Sequence, residues 1–297
     1  MSDCNSTIFV QTLVGSGQLP FYLNCLKSLT QKCVETLNLI IHTDGSLSNS
    51  DEQTILHEFP QGTVQIADKN QSKSNTLDNL RGYPNCQKLR QKSIWGTEFF
   101  DPLFTKPEDP ISFYVDADIL FVKKFSGLFD KEKVKGGAVF LRDINWDAYC
   151  IRPWHLAGFS NKPSIVHGIT TALVCWDRDI IDWDYLEWFL GQEYLHSIPE
   201  WVLPTAQAGL AARCDSKTVS ARQLVNLYPN AKIHEETFGL HLLGSYREDW
   251  LKELSKLKIS PSPKTMNAAF EKCKTRGMLG YSVNITRRWL NTRVNKW

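Results

Sequence analysis

Asp116 and Asp118, separated by one alanine, are the residues of this 297-residue chain whose types and spacing point most directly to chemistry. Two carboxylates two positions apart share a face of a regular strand. Where such a strand opens into a turn, both can reach one divalent cation. Phe113-Tyr114-Val115 and Ile119-Leu120-Phe121 flank the pair and set it in an apolar segment. Like charges in that frame are costly unless a metal ion or a hydrogen-bond network compensates them. Two solvated aspartates on a surface turn would not need such flanks. A second cluster lies far downstream, at His241-Leu242-Leu243-Gly244-Ser245-Tyr246-Arg247. Two carboxylates, an imidazole and phosphate oxygens make a mixed shell that suits Mn2+ or Mg2+ better than Ca2+. A histidine on an apolar stretch is by itself usually a core residue, and the carboxylate pair gives this one its weight.

The elements that must position these groups read as an α/β pattern. Residues 7–14 form a β-branched, apolar run that predicts a buried strand, followed by Gly15-Ser16-Gly17 and a helical pattern from Pro20. Residues 37–42 predict a second strand, which ends in Thr43-Asp44-Gly45. Strand, helix and strand in so short a span predict a βαβ unit and a parallel sheet, with Asp44 at a carboxyl end, where ligands bind. Further strands are expected at 63–66, 111–122, 136–142 and 169–176, and helices at 85–100, 183–195 and 203–213. Ser260 to Lys264 is a linker signal, so a domain over residues 1–255 is expected to carry a basic, mainly helical extension over 256–297.

The string Phe113-Tyr114-Val115-Asp116-Ala117-Asp118-Ile119-Leu120 resembles the signature of GT-A glycosyltransferases, and is most similar to the retaining glycogenin and bacterial galactosyltransferase family. The resemblance implies an α/β fold of GT-A type, a mostly parallel central sheet flanked by helices with a Rossmann-like nucleotide-binding half. It implies that Asp116 and Asp118 hold Mn2+ (or Mg2+) against the diphosphate of a UDP-sugar, and that Asp116 also approaches the ribose. The family's HxxGxxK element is matched at His241 and Gly244, with Arg247 where lysine is usual, and the Pro-Trp that often follows is lacking. It implies His241 as third metal ligand, with Gly244 and Arg247 on the diphosphate. An arginine fork can bind two phosphate oxygens. The resemblance further implies that Gln11, Thr12 and Val14 contact the base. Asp44, at its strand end, is a further candidate for the base, and Arg90 or Lys92, one helix before the aspartates, is a candidate for the donor or belongs to a solvated helix face. Asp143 would contact the sugar hydroxyls. Gln207 would lie near the anomeric carbon, with Glu200 as a competing candidate.

The reaction so implied is hexosyl transfer from a nucleotide sugar to a hydroxyl of a glycan or other acceptor, with retention. Two rivals stay open. A nucleotidyltransferase would also use paired carboxylates and a metal, but would carry basic residues in the loop after its first strand. A non-catalytic binder of sugar nucleotides or glycans would share the metal site. The formal net charge of +2 gives no field that points to nucleic acid. Eight cysteines without a CxxC pair suit buried thiols in a reducing compartment. The first residues show no signal-peptide pattern, and no apolar run is long enough to cross a bilayer, so a cytoplasmic location is expected. The tail from 265 mixes Lys and Arg with Tyr281, Trp289 and Trp297. That composition suits peripheral contact with an anionic membrane, or a helix docked on the domain.

Overall fold

The computed structural model describes residues 7–106, 108–143, 148–152, 154–155, 163–229, 231–254, 264–276, 279–283 and 285–286. It opens with the expected unit: β1 (Ile8–Val14), α1 (Leu19–Lys32) and β2 (Leu37–Thr43). α1 has Pro20 in its first turn, where no hydrogen bond is lost, and buries Leu19, Leu23, Leu26 and Leu29 at helical spacing. Next come α2 (Asn49–Glu58), β3 (Val64–Ile66) and α3 (Lys69–Asn79). α2 starts on a capping box between Ser48 and Asp51. α3 was not legible in the polar stretch 69–79. Of its residues only Thr76 is buried, and Asp68 caps it by accepting the Gln71 N–H. The single helix expected over 85–100 is two, α4 (Pro84–Lys92) and α5 (Ile94–Phe104), divided at Ser93, whose hydroxyl accepts the Trp95 N–H.

The expected strand 111–122 is also divided, into β4 (Ile111–Val115) and β5 (Ile119–Phe121). The Asp116 N–H still bonds across the sheet to the Ala172 carbonyl at 2.7 Å, after which the Ile119 N–H turns back onto the Asp116 carbonyl at 3.3 Å. The two aspartates therefore stand on the turn between two sheets. β6 (Phe125–Ser126), α6 (Lys131–Val134), β7 (Gly137–Arg142), β8 (Ile165–Val166) and β9 (Ile169–Asp177) follow. Then come α7 (Trp183–Leu190), α8 (Pro199–Ala211), β10 (Asp215–Val219), β11 (Leu224–Asn226), β12 (Gly239–His241) and α9 (Arg247–Leu254). The last strands are β13 (Met266–Asn267), β14 (Phe270–Lys272) and β15 (Thr275–Arg276).

The central sheet has eight strands in the order β14-β10-β7-β9-β4-β1-β2-β3. β3, β2, β1 and β4 are parallel neighbours, as are β7 and β10, while β9 runs against β4 and β7. The expectation of a mostly parallel sheet flanked by helices holds. Side chains alternate between two apolar layers. Val10, Phe113, Val139 and Cys175 join α1 on one face, whereas Ala138, Phe140, Val174 and Trp176 join α7 and α8 on the other. Burying each large apolar side chain contributes about 1.5–3 kcal/mol. A smaller sheet, β11-β12-β5, stands beside the ends of β4 and β7.

The extension expected to be mainly helical is described only in part. There, residues 266–276 carry three short strands, and residues 279–283 and 285–286 are helical. β14 pairs antiparallel with β10 and so belongs to the central sheet. Its backbone finds partners in that strand edge, which hydropathy patterning over so short a segment does not reveal. The basic end of the tail, from 287, lies outside the described residues.

Candidate metal centre

Three strand ends bring the site together. Asp116 and Asp118 come from the β4–β5 turn, and His241 ends β12, whose partner across the small sheet is β5. The Leu242 N–H bonds the Asp118 carbonyl at 3.0 Å, which locks the aspartate turn to the histidine strand. One ligand atom from each of Asp116, Asp118 and His241 lies within 4.8 Å of the others. Asp118 Oδ1 is buried, accepts no hydrogen bond among the described residues, and stands 3.4 Å from His241 Nε2. A buried carboxylate oxygen so placed, beside a second carboxylate, is a donor set that suits a divalent cation.

The histidine is held for that task by a residue the sequence did not single out. Asn226, which ends β11, donates from Nδ2 to the Arg142 carbonyl at 3.0 Å. That bond turns its Oδ1 toward His241 Nδ1, 2.7 Å away. The Nδ1 must therefore carry the proton and Nε2 presents its lone pair to the aspartates when the ring is neutral. Tyr114 donates to Asp116 Oδ1 at 2.8 Å. Asp143, at the end of β7 and 6% exposed, accepts from the Tyr228 hydroxyl at 2.6 Å.

Arg247, at the start of α9, pairs with Asp118 and donates to Gln18 and to the Leu242 carbonyl. Its guanidinium also lies over the Phe21 ring at 5.0 Å, a cation–π contact that keeps the fork at the site. Gly244 is exposed, and a Cβ added there would touch nothing within 4 Å. The fold itself therefore does not require glycine at this position.

Electrostatics follow from the geometry. Burial and then Asp118 raise the Asp116 carboxyl to about 7, against the opposing pull of His241 and Arg247. Burial would raise Asp118 too, but His241 and Arg247 outweigh it and hold Asp118 below its usual value. Burial would lower His241, yet Asp118, Asp116 and Asp143 together raise it. Binding a cation here must displace protons, as ligation by carboxylate and imidazole requires.

The remaining expected site residues divide. Val14 and Asp44 meet at the carboxyl edge, where the Asp44 N–H approaches the Val14 carbonyl at 3.4 Å, and Asp44 is exposed. A Cβ at Gly15 would collide with the Asp44 carboxylate, so glycine there lets Asp44 lie across the end of β1. Thr12 is fully buried in the sheet. Gln11 is buried as well, and its amide is committed to the Pro102 carbonyl at 2.6 Å, the Ser112 hydroxyl at 3.2 Å and His42 at 2.9 Å. It braces β1 against α5 instead of facing the edge. Lys92 is exposed at the last turn of α4, outside the cluster, while Arg90 is buried against Asp101. Gln207, on α8, is buried, and its Oε1 has no hydrogen-bond partner among the described residues. A cavity of about 570 Å³ lined by Lys27, Glu58 and Thr63 lies at the amino end of β2 and holds none of these groups.

No protein-family profile and no curated protein sequence matches the chain. Solved structures do. Mouse xyloside xylosyltransferase 1 is 12% identical with a TM-score of 0.51, over 80% of this chain and 97% of that one. An active-site glutamine-to-glutamate mutant of LgtC is 11% identical with a TM-score of 0.52, over 86% of this chain and 98% of that one. The bifunctional glycosyltransferase WbbM matches at 9% identity and a TM-score of 0.50, over 87% of this chain and 50% of that one. The fold is that of the GT-A glycosyltransferases, as the aspartate string implied.

Proposed function

We propose that the protein is a metal-dependent glycosyltransferase that moves a hexose from a nucleotide-diphosphate sugar, UDP-linked, to a hydroxyl of a glycan or other acceptor, with retention. The observation that carries this reading is the meeting of Asp116, Asp118 and His241 beside the carboxyl ends of the parallel strands of a GT-A fold. Bound there, Mn2+ or Mg2+ supplies Lewis acidity toward the departing nucleoside diphosphate. Asp116, Asp118 and the Nε2 of His241 hold the ion. Arg247 offers its planar fork to the diphosphate oxygens, and the bare backbone at Gly244 lets the diphosphate lie close to the turn. The edge at Val14, Gly15 and Asp44 receives the nucleoside. Asp143, fixed by Tyr228, orients a sugar hydroxyl, and Gln207 presents Oε1 toward the sugar; an active-site glutamine in LgtC supports that assignment. The absence of basic residues in the loop 15–18 favours sugar transfer over nucleotidyl transfer. Among the described residues no helix is long and apolar enough to cross a membrane. A cytoplasmic enzyme touching a membrane through its basic tail belongs to the same proposal.

Thermal stability with UDP, GDP or CDP, each with and without Mn2+, tests the reading on the wild type and on Asp118→Asn. A shift specific to UDP with Mn2+, lost in the variant, is expected. A shift with GDP instead would change the donor and leave the class. No metal-dependent shift with any nucleotide would return the two aspartates to a structural role. Release of UDP from UDP-hexoses then separates an enzyme from a binding protein.

A further inference from the structure

Each carboxylate of the aspartate turn has one committed oxygen. Asp118 Oδ2 pairs with Arg247, while its Oδ1 is buried and accepts no hydrogen bond among the described residues. Asp116 Oδ1 accepts the Tyr114 hydroxyl at 2.8 Å, and Tyr114 is the one side chain that donates to Asp116 among the described residues. The two commitments differ in permanence. Arg247 leads α9 and, in the proposed function, turns to the diphosphate. Tyr114 is fixed inside the central sheet, on β4, opposite Gln11 of β1 and Val174 of β9. The Asp116 N–H keeps its bond across the sheet to Ala172, so the alternation of β4 extends to Asp116. Asp116 therefore lies on the face of Tyr114, while Phe113 and Val115 enter the opposite apolar layer. Tyr114 is 5% exposed, so bulk water has no access to stand in for its hydroxyl.

We propose that Tyr114 is a positioning residue that sets which cation the centre selects. By occupying Oδ1 it restricts Asp116 to its other oxygen, and so favours Mn2+ or Mg2+ over Ca2+. The inference rests on the metal centre proposed above. Ca2+ gathers many oxygens at long, adaptable distances and often takes both oxygens of one carboxylate. Mg2+ demands near-octahedral contacts at shorter range, and Mn2+ shares that preference. A carboxylate with both oxygens free can grip the larger ion with the pair. Held by Tyr114, Asp116 offers one oxygen in a fixed orientation, which serves the smaller ions and withholds a ligand from the larger one.

Titration of the purified protein with Mn2+, read by the electron paramagnetic resonance of the free ion, and displacement of bound Mn2+ by Ca2+ test the proposal. Tyr114→Phe keeps the ring and removes the donor. Mn2+ is expected to weaken about 10-fold through loss of the oriented carboxylate, while Ca2+, which gains the second oxygen, keeps or improves its affinity. The Mn2+ to Ca2+ affinity ratio should thus fall about 10-fold or more. A ratio that rises or stays within about 3-fold of the wild type, as an equal loss for both ions would give, would overturn the proposal and leave the metal centre intact. The wild type gives a second reading if Tyr114→Phe does not fold. Its infrared difference spectrum on adding Ca2+ is expected to contain the wide separation of carboxylate stretches that marks binding through one oxygen. A spectrum with only the narrow separation of chelating carboxylates would also overturn the proposal. A wild type that binds neither ion, like its Asp118→Asn control, would overturn the metal centre itself.

Discussion

Replacing Asn226 by alanine separates the support of the proposed metal centre from its proposed ligands. Asn226 makes two buried hydrogen bonds, one from His241 Nδ1 at 2.7 Å and one to the Arg142 carbonyl at 3.0 Å. Each contributes about 1 kcal/mol, so Asn226→Ala is expected to destabilise the protein by about 2 kcal/mol. Loss of the Nδ1 acceptor also frees the imidazole to rotate and to place its proton on Nε2, the atom that faces Asp118. Removing such a partner typically weakens metal binding by about 10- to 100-fold. Asn226→Asp retains the acceptor for Nδ1 but cannot donate to Arg142. It is expected to lose about 1 kcal/mol of stability and to bind Mn2+ at least as tightly as the wild type. Urea unfolding gives the first quantity and Mn2+ titration without nucleotide gives the second. If Asn226→Ala bound Mn2+ within 3-fold of the wild type while unfolding more easily, Asn226 would only pack the small sheet, and the tautomer argument would fail.

Arg247→Met removes the cation beside Asp118. Mn2+ alone is then expected to bind about 10-fold tighter, and UDP in the presence of Mn2+ about 10-fold weaker, by calorimetry; a parallel loss of both would show that Arg247 only holds the turn. His42 is buried against Gln11, and burial lowers it from 6.5 to about 4. Its neutral form is thus favoured by folding, and the contribution is complete above the unfolded value and lost as pH falls through the window between the two. His42→Gln is expected to remove about 2 kcal/mol of the stability difference between pH 8 and pH 5 in denaturant titrations, and an unchanged acid slope would contradict the burial argument.

The parts of the site that could be read from sequence are those where local pattern and chemistry disagree. Asp116 and Asp118 interrupt an apolar strand, and His241 follows one, so burial and charge clash visibly within a few residues. The resemblance to the HxxGxxK element then tied Gly244 and Arg247 to the histidine. Asn226 and Tyr228 carry no such mark. Each is a single polar residue in an ordinary strand or loop, and only the packing of β7 and β11 beside the aspartate turn brings it to the cluster. The reverse holds for Gln11, for which the resemblance implied a contact with the base. Its amide instead satisfies a carbonyl at Pro102, inside α5, a need that no pattern in the sequence of β1 displays. The parallel half of the sheet was legible because β-branched runs alternate with helical spacing, whereas α3 was hidden by its nearly all-polar surface.

The short strand Phe270–Lys272 has a consequence for any truncated form of the chain. Gln223, just before β11, also clasps this segment, bonding the Asn267 carbonyl at 2.9 Å and the Ala269 N–H at 2.7 Å. A protein cut at residue 255 would keep every proposed metal ligand yet bare the outer edge of β10, whose Lys217, Thr218 and Val219 pair with β14 in the intact chain. Unpaired backbone along a sheet margin invites strands from other molecules. Such a fragment should precipitate or form soluble aggregates in proportion to its concentration, so the segment after the linker acts as a guard against self-association.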